Sequence, residues 1–260
     1  MKKFYFLSGL PRSGSTLLTA ILNQNPNLYA SPTSGLIEIM GATLRSWYEK
    51  VNEVQGRNDE ELFRLLKGVM ESKYENINKP IIIDKSRGWP DPEIMRTMSR
   101  LLGENMKIIA TVRSVPDCAS SFLRVVKPNN KENFLKNSQV IQHLKNSYIT
   151  LLEGYKKYPD SILMIDYDDL LKDPKKEMGR IHKFLDIEDF DYSFDNIDGS
   201  IVKERDEEVW KIPNLHDIKP KLKRQSFEDS KKVLGYLYDE FDQEKFWIKN
   251  YKKEKKIHLL

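Results

Sequence analysis

The stretch FYFLSGLPRSGSTLL, from Phe4 to Leu18, constrains the fold more than any other part of the chain. Its apolar first half is typical of a buried β-strand, and the amphipathic run that begins near Ser15 is typical of a helix. Gly9 and Gly14 lie between the two and let the backbone curl, so that successive N–H groups can point at an anion. A strand, a glycine-containing loop and a helix in this order predict a phosphate-binding loop.

The loop differs at one position from the phosphate loop of nucleotide hydrolases. Ser15 stands where such a loop carries the lysine that reaches the β- and γ-phosphates, and Arg12 lies inside the loop instead. The residues predicted to surround the phosphate are Ser13, Gly14, Ser15 and Thr16. Hydrolysis of ATP or GTP is therefore disfavoured, and a nucleotide with a different reacting group fits the loop better.

The composition describes a globular chain with a mildly basic surface. Of its 260 residues, 39% are hydrophobic and 32% are charged, and the net charge is +4. This size suits one domain over residues 1–260, with an exposed basic tail from about residue 249. The single cysteine, Cys118, excludes an internal disulfide and is expected to be packed rather than nucleophilic. The apolar run from Phe4 to Leu10 is too short for a signal peptide or a membrane span, so we expect a cytoplasmic protein with no membrane partner.

Strand and helix signals alternate along the rest of the chain. Three further buried strands are predicted, PIIID from Pro80, KIIATV from Lys107 and SILMID from Ser161. Helices are predicted from about residue 34, from a cap at Asn58 or Asp59, from a cap at Asp91 to Gly103, and over about 114–126, 137–157 and 174–185. This alternation predicts an α/β fold, a single domain with a central parallel sheet flanked by helices. Residues 190–225 show no clear pattern.

A second pair of polar residues follows the strand KIIATV. Arg113 lies at the strand end, and Ser121 follows eight residues later in the next predicted helix. At this spacing a guanidinium and a hydroxyl can face a common anion, although a helix-start arginine and a small packing serine would produce the same pattern. Taken with the glycine loop, the pair favours a nucleotide that carries a second anionic group.

These segments resemble those of sulfotransferases that use 3′-phosphoadenosine 5′-phosphosulfate (PAPS). GLPRSGST is similar to the loop with which that family binds the 5′-phosphosulfate. The spacing of Arg113 and Ser121 is similar to its 3′-phosphate site, although Ser114 stands where the family commonly has Asp or Asn. IDYDDLLKDPKKEMGRIHKFLDI resembles a further family segment. PRSGSTLL and NQNPNLYASPTSG look more like the bacterial and protein-tyrosine members than the animal cytosolic ones.

The resemblance implies a P-loop NTPase-like sulfotransferase fold and an enzyme that moves a sulfuryl group from PAPS to an acceptor hydroxyl or amine. The product 3′,5′-bisphosphoadenosine (PAP) leaves, and Arg12 and Lys85 are implied to offset its growing negative charge. By the same likeness, the late segment LHDIKPKLKRQ offers Lys219, Lys221 and Arg224 to the nucleotide. No metal is expected, because these cations offset the negative charge of the leaving group that a metal ion would otherwise offset.

The general base has three candidates in the sequence. Arg87 stands where cytosolic relatives carry a histidine, and protein-tyrosine members use a glutamate shortly after the first helix. Glu38 is the first choice for that glutamate, and Asp84 and His143 are the alternatives. The acceptor stays open among a small alcohol, a saccharide and a tyrosine peptide.

Two other functions compete with sulfuryl transfer. A P-loop kinase or NTPase that acts on a small molecule is the main alternative, and the missing loop lysine counts against it. RNA binding has only the basic tail in its favour, since no aromatic–basic motif accompanies the tail, and no nucleic-acid partner is expected. We expect a monomer or a homodimer.

Overall fold

The computed structural model describes residues 2–202, 204, 208, 211–212, 215–222 and 229–248. Five strands form one sheet: β1 Lys3–Gly9, β2 Leu28–Thr33, β3 Ile81–Lys85, β4 Ile108–Val112 and β5 Ile162–Asp166. All the strand pairs are parallel, and the order across the sheet is β2-β3-β1-β4-β5. The carboxyl ends of the strands therefore share one edge, which is the edge where open α/β sheets bind ligands.

Helices cover both faces of this sheet. In chain order they are α1 Ser15–Leu22, α2 Leu36–Ser46, α3 Asn52–Gln55, α4 Asp59–Lys73, α5 Pro92–Leu102, α6 Val115–Val126, α7 Lys131–Asn137, α8 Gln139–Lys157, α9 Tyr167–Lys172, α10 Pro174–Leu185, α11 Ser230–Leu234 and α12 Tyr238–Phe241. A π-helical turn, Trp47–Val51, joins α2 to α3, and single 3₁₀ turns lie at Pro159–Ser161, Gly199–Ile201 and Gly235–Leu237. Among the described residues, no helix combines the length and the apolar character needed to cross a membrane.

The predicted α/β class and parallel sheet are confirmed, but the strand count was wrong by one. The four predicted strands are β1, β3, β4 and β5, whereas β2 was not predicted. Its sequence, LYASPT, has few apolar residues and contains Pro32. A proline that cannot donate to a strand ladder is tolerated at the edge of a sheet, and β2 is an edge strand. The sequence of β2 therefore carries a weak strand signal. The segment forms a strand because it pairs with β3, a partner that only the tertiary structure supplies.

Strand β1 lies at the centre of the sheet and is buried on both faces. Phe4 and Phe6 point into one hydrophobic cluster, and Tyr5 and Leu7 point into the other. This alternation is the two-residue period of a strand, and the continuous apolar run follows from helices covering both faces. The first cluster packs against α2, α4, α5, α6 and α8, and the second packs against α1 and α10.

The predicted helix ends agree with the structure. The side chain of Asn58 accepts a hydrogen bond from the Glu61 N–H at 3.1 Å, and Asp91 caps α5 through two backbone N–H groups. Gly103 ends α5 with a φ of 72°, a left-handed conformation that glycine adopts readily. Helix α7 was not predicted, and Asn130 caps it. The basic tail from about residue 249 lies outside the described residues.

Candidate functional site

The glycine loop lies between β1 and α1, at the carboxyl edge of the sheet. Gly14 has a φ of 90°, and a Cβ atom on it would lie 2.6 Å from the ring of Tyr167. Gly9 has a φ of 142°, and a Cβ atom there would clash with the backbone of Thr111. Both positions therefore need glycine, one for close packing against α9 and the other against β4. Arg12 also has a positive φ, 67°, so the loop curls tightly around its centre.

The loop borders an open cleft of about 1210 Å³, measured with its solvent-filled mouth. Arg12, Gly14, Ser15 and Thr16 line it together with the first turn of α1. The N–H groups of a first helical turn have no acceptor within the helix, and the helix dipole adds positive potential at that end. The predicted phosphate loop thus has the local structure of an anion site.

Ser13 differs from the other loop residues. Its N–H donates to the Leu10 carbonyl at 3.2 Å, and its hydroxyl is buried against the Leu10 and Thr111 carbonyls at 2.6 and 2.9 Å. In the structure Ser13 fixes the loop against β4 and does not line the cleft. The sequence placed it among the residues that surround the phosphate, and the reason for the difference is that a serine hydroxyl satisfies a buried carbonyl as readily as an anion.

The two predicted anion sites lie in one cleft. Arg12 Nε donates to Ser121 Oγ at 3.1 Å, so the glycine loop and helix α6 are directly linked. The Arg113 guanidinium lies over the ring of Tyr167, 4.7 Å from its centroid. The buried Nε of Arg113 has no hydrogen-bond partner among the described residues. Arg12, Arg113 and Ser121 therefore surround a region with donors available for an anion.

The pKa shifts of the arginines also indicate that this region favours an anion. Burial, the largest cause, lowers the pKa of Arg12, and the nearby Arg113 and Arg124 lower it further. Burial and the charge of Arg113 also lower the pKa of Arg124. Arg113 and Arg124 disfavour the charge of Arg12, and Arg113 disfavours that of Arg124, so the three guanidinium groups form a region of concentrated positive potential that an anionic ligand would stabilise.

Lys85, at the end of β3, reaches the same loop from the other side. Its Nζ donates to Thr16 Oγ1 at 3.2 Å and forms an ion pair with Glu204. Both members of the pair are almost fully buried, with side-chain exposures of 6% and 1%. Lys85 therefore lies beside the glycine loop at the carboxyl edge of the sheet, and its carboxylate partner was not predicted.

Glu204 and His216 are the residues that sequence reasoning missed. Glu204 Oε2 accepts the Thr33 N–H at 2.8 Å, and His216 Nδ1 is 2.9 Å from Thr16 Oγ1. Arg12 also donates to the Leu215 carbonyl. Glu204 has no motif around it that would have identified it. His216 lies in the late segment that was predicted to close over the nucleotide, where only the basic residues were considered.

The late segment lies where the resemblance implied, along the cleft. Lys219 and Lys221 both line it, and Lys221 forms an exposed ion pair with Asp195 at 2.8 Å. The third predicted cation, Arg224, lies outside the described residues. The contacts with the glycine loop come from Leu215 and His216 rather than from these cations.

The candidate general bases lie in different places. Glu38 is exposed in the first turn of α2 and lines neither this cleft nor the adjoining cavity beside Glu204. Asp84 is fully buried and accepts hydrogen bonds from Ser34, Tyr74 and Trp89, so it cannot reach an acceptor. His143 does line the cleft, where burial and the charge of Arg87 lower its pKa.

Cys118 lies on α6 and is fully buried, as predicted. Burial, the largest cause, raises the pKa of its thiol to about 12. Since the thiolate is the reactive form of cysteine, this residue packs and does not act as a nucleophile.

Comparison with known proteins identifies a family and a shared fold. The model of the Sulfotransferase family matches residues 5–192, which is more than half of the chain. A sulfotransferase domain from the olefin synthase of Synechococcus PCC 7002 superposes with a TM-score of 0.51 at 23% identity, covering 94% of this chain and 95% of that one. A sulfotransferase domain from the curacin biosynthetic pathway has a TM-score of 0.51 at 20% identity, covering 91% and 98%. These two likenesses show a shared fold. No curated protein matches the sequence.

Proposed function

The chain belongs to the Sulfotransferase family, and we propose that it transfers the sulfuryl group of PAPS to an acceptor hydroxyl or amine. Arg12, Gly14, Ser15 and Thr16 hold the 5′-phosphosulfate in this proposal, and Ser13 positions their loop. Arg113 and Ser121 hold the 3′-phosphate. Lys219 and Lys221 add positive charge along the open side of the cleft.

One observation carries the proposal, the hydrogen bond of 3.1 Å from Arg12 Nε to Ser121 Oγ. It joins the glycine loop after β1 to the helix after β4, so the residues of the two proposed anion sites lie side by side in one cleft. A nucleotide with a single 5′-phosphate chain uses the first site alone. A nucleotide with a 5′ group and a 3′-phosphate uses both, and PAPS has that arrangement.

The reaction requires positioning and charge. The acceptor oxygen or nitrogen attacks sulfur in line, the bond from sulfur to the bridging oxygen breaks, and its electron pair stays on PAP. Negative charge therefore grows on the leaving group, close to Lys85 and Arg12. Preorganised cations in a partly buried cleft stabilise that charge more than water does, because they need no reorganisation. The proposed mechanism routes no step through a metal ion.

A base accepts the proton of the acceptor, and His143 is better supported for this role than Glu38 or Asp84. It is the one of these three that lines the cleft. Its lowered pKa keeps the imidazole neutral near neutral pH, which is the form that accepts a proton. Glu38, the first choice from the sequence, lies on an exposed turn of α2, and no observed contact brings it to the loop.

The donor is tested by the change in stability that each nucleotide produces. A ligand that binds the native state at 100 times its Kd stabilises it by about 2.7 kcal/mol. We expect PAP to raise the Tm, and we expect ATP with Mg²⁺ and a short RNA to leave it unchanged. Stabilisation by ATP with Mg²⁺ but not by PAP would replace the proposal with the alternative, a P-loop kinase or NTPase.

The proposed acceptor is a small alcohol, a saccharide or a tyrosine peptide. Incubating the protein with radiolabelled PAPS and a metabolite extract identifies it, because the label moves to the acceptor. A matched reaction with Lys85→Met separates enzymatic transfer from spontaneous transfer, since the variant lacks the cation beside the leaving group.

A further inference from the structure

Glu204 is a buried carboxylate inside the proposed donor site, and no motif of the chain accounts for it. We infer that Glu204 makes the site discriminate between the donor PAPS and the product PAP, by competing with the sulfuryl group for Lys85. The inference rests on the proposed function and concerns the part of the ligand that differs between donor and product. It follows from the contacts of Lys85, from the order of the strands and from the charge of the pair.

One side chain, Lys85, links Glu204 to the phosphate loop. Lys85 Nζ bridges Thr16 Oγ1, at 3.2 Å, and the carboxylate of Glu204. The second oxygen of Glu204 accepts the Thr33 N–H at 2.8 Å. The carboxylate is thus held from two sides, by the lysine that ends β3 and by the backbone at the end of β2. A side chain fixed in this way keeps its charge close to Lys85.

The order of the strands sets which end of the ligand meets this pair. In the order β2-β3-β1-β4-β5, the glycine loop follows β1, and Arg113 follows its neighbour β4. Lys85 ends β3, the neighbour of β1 on the opposite side. A nucleotide with its 3′-phosphate beside β4 and its 5′ group in the loop therefore directs its terminal group towards β3. That terminal group is the sulfuryl of PAPS, and PAP lacks it.

The charge of Glu204 affects the binding of PAPS and of PAP differently. Burial raises the pKa of Glu204, but the charge of Lys85 and hydrogen bonds from Lys85 and Thr33 outweigh it, so the net pKa is lowered. Glu204 is consequently an anion at neutral pH. A sulfuryl oxygen that approaches Lys85 meets this anion at close range, where like charges repel most strongly. The 5′-phosphate of PAP stays in the glycine loop, further from Glu204 than the sulfuryl oxygens of PAPS, so the repulsion by Glu204 is larger for PAPS than for PAP.

The pair also has a function after transfer. A buried cation is less unfavourable beside an anion, and Glu204 supplies that anion to Lys85 when the sulfuryl group has left with the acceptor. Lys85 therefore alternates between the sulfuryl group and Glu204. Lys85 therefore has an anion beside it both before and after transfer. Donor binding is weaker as a result, because Glu204 repels the sulfuryl group.

The test measures the affinities of PAPS and PAP by titration calorimetry in the absence of acceptor. The variants are Glu204→Gln and a matched control, Glu208→Gln, which neutralises an exposed glutamate nearby. We expect Glu204→Gln to raise the affinity for PAPS relative to PAP by about tenfold, the size of one charge-assisted interaction. The control leaves the ratio of the two affinities unchanged.

The outcomes distinguish this inference from the proposed function. If the wild-type protein binds both ligands and Glu204→Gln leaves the ratio unchanged, the inference is wrong and the proposed function stands. If the wild-type protein binds neither ligand, both are wrong. Should Glu204→Gln fail to fold, Glu204→Asp replaces it. That variant keeps the charge but withdraws it by one methylene from Lys85, and a smaller change of the ratio in the same direction is expected. An unchanged ratio in that variant also overturns the inference.

Discussion

Arg113 has more capacity to donate hydrogen bonds than its contacts use. Its guanidinium stacks on the ring of Tyr167, and its buried Nε has no partner among the described residues. A buried donor without an acceptor costs about 1–3 kcal/mol. An anion placed at this position would recover that cost, which supports the proposed role of Arg113 in anion binding.

We expect Arg113→Ala to raise the Kd of PAP by about 10- to 100-fold. A hydrogen bond to a charged group contributes about 1.5–3 kcal/mol, and each 1.4 kcal/mol changes an affinity about tenfold. Calorimetry measures the effect, with Arg96→Ala as the control, because Arg96 is 63% exposed and pairs with Glu93 on α5. Unchanged PAP binding in Arg113→Ala would remove this residue from the 3′-phosphate site.

Glu204 should also make the unfolding free energy of the protein depend on pH in the acid range. Its pKa in the folded protein lies below the ordinary value of 4.5, because Lys85 and Thr33 outweigh burial. A lowered carboxyl pKa contributes stability that is present above the unfolded pKa and lost as the pH falls through the folded one. We expect the difference in unfolding free energy between wild type and Glu204→Gln to be constant from about pH 5 to pH 7 and to shrink below about pH 4.5.

Urea unfolding at a series of pH values measures that difference. Other carboxyl groups titrate in both proteins, so their contributions cancel. The variant Glu208→Gln, at an exposed position, is the control. A difference between wild type and Glu204→Gln that grows on acidification would contradict the ion pair as described.

At the scale of elements, the ends of three adjacent strands assemble the site. β1 leads into the glycine loop, β3 ends at Lys85, and β4 leads to Arg113 and α6. Helix α6 then carries Ser121 two turns further on, at the point where Arg12 contacts it. Parallel strands bring segments that are distant in sequence to one edge, which is why these residues meet.

The start of α6 depends on Ser114, where the resembling family commonly has Asp or Asn. Its Oγ accepts the Asp117 N–H at 3.3 Å, as an N-cap residue does. The same hydroxyl donates to the Asp117 carboxylate. We expect Ser114→Ala to lower the unfolding free energy by about 1 kcal/mol and Ser114→Asn, whose amide can accept the N–H and donate to the carboxylate, to preserve it. Urea unfolding measures both variants.

Ser138 provides a matched control for that prediction. It also precedes a helix, α8, but its side chain makes no capping hydrogen bond, and its buried hydroxyl has no partner among the described residues. Ser138→Ala should therefore cost less than Ser114→Ala. Equal losses in the two variants would show that the Ser114 hydroxyl does not stabilise α6 by capping.

At the scale of the whole molecule, the segment 229–248 packs back onto the main part of the fold. Leu234, Leu237 and Phe241 are buried in the larger hydrophobic cluster. Trp247 Nε1 donates to Asp166 Oδ2 at 2.8 Å, across 81 positions of sequence. Asp166 ends β5, so this bond ties the end of the described chain to the edge of the sheet that carries the site.

We expect Trp247→Phe to lower the unfolding free energy by about 1–3 kcal/mol, because Asp166 loses a donor in a half-buried position. Thermal unfolding should show a single transition at a lower Tm, since the segment packs on the main core. Tyr236→Phe is the control, at a side chain that is 75% exposed. A separate early transition in Trp247→Phe would instead show that the segment unfolds independently.

The amino-acid sequence by itself determined the features that depend on neighbouring residues. Four strands, the caps Asn58 and Asp91, and the glycine loop are visible locally, because periodicity, capping and backbone freedom act over a few residues. The α/β class and the family resemblance follow from the same local segments in their order along the chain.

Tertiary structure alone decided which side chains meet. The bond from Arg12 to Ser121 spans 109 positions, and the ion pair of Lys85 with Glu204 spans 119. It also placed the Ser13 hydroxyl inside the protein and paired the weakly apolar β2 with β3. The physical reason is that such contacts are selected by burial and charge across the sheet, and no local pattern in the sequence encodes a partner that lies a hundred residues away.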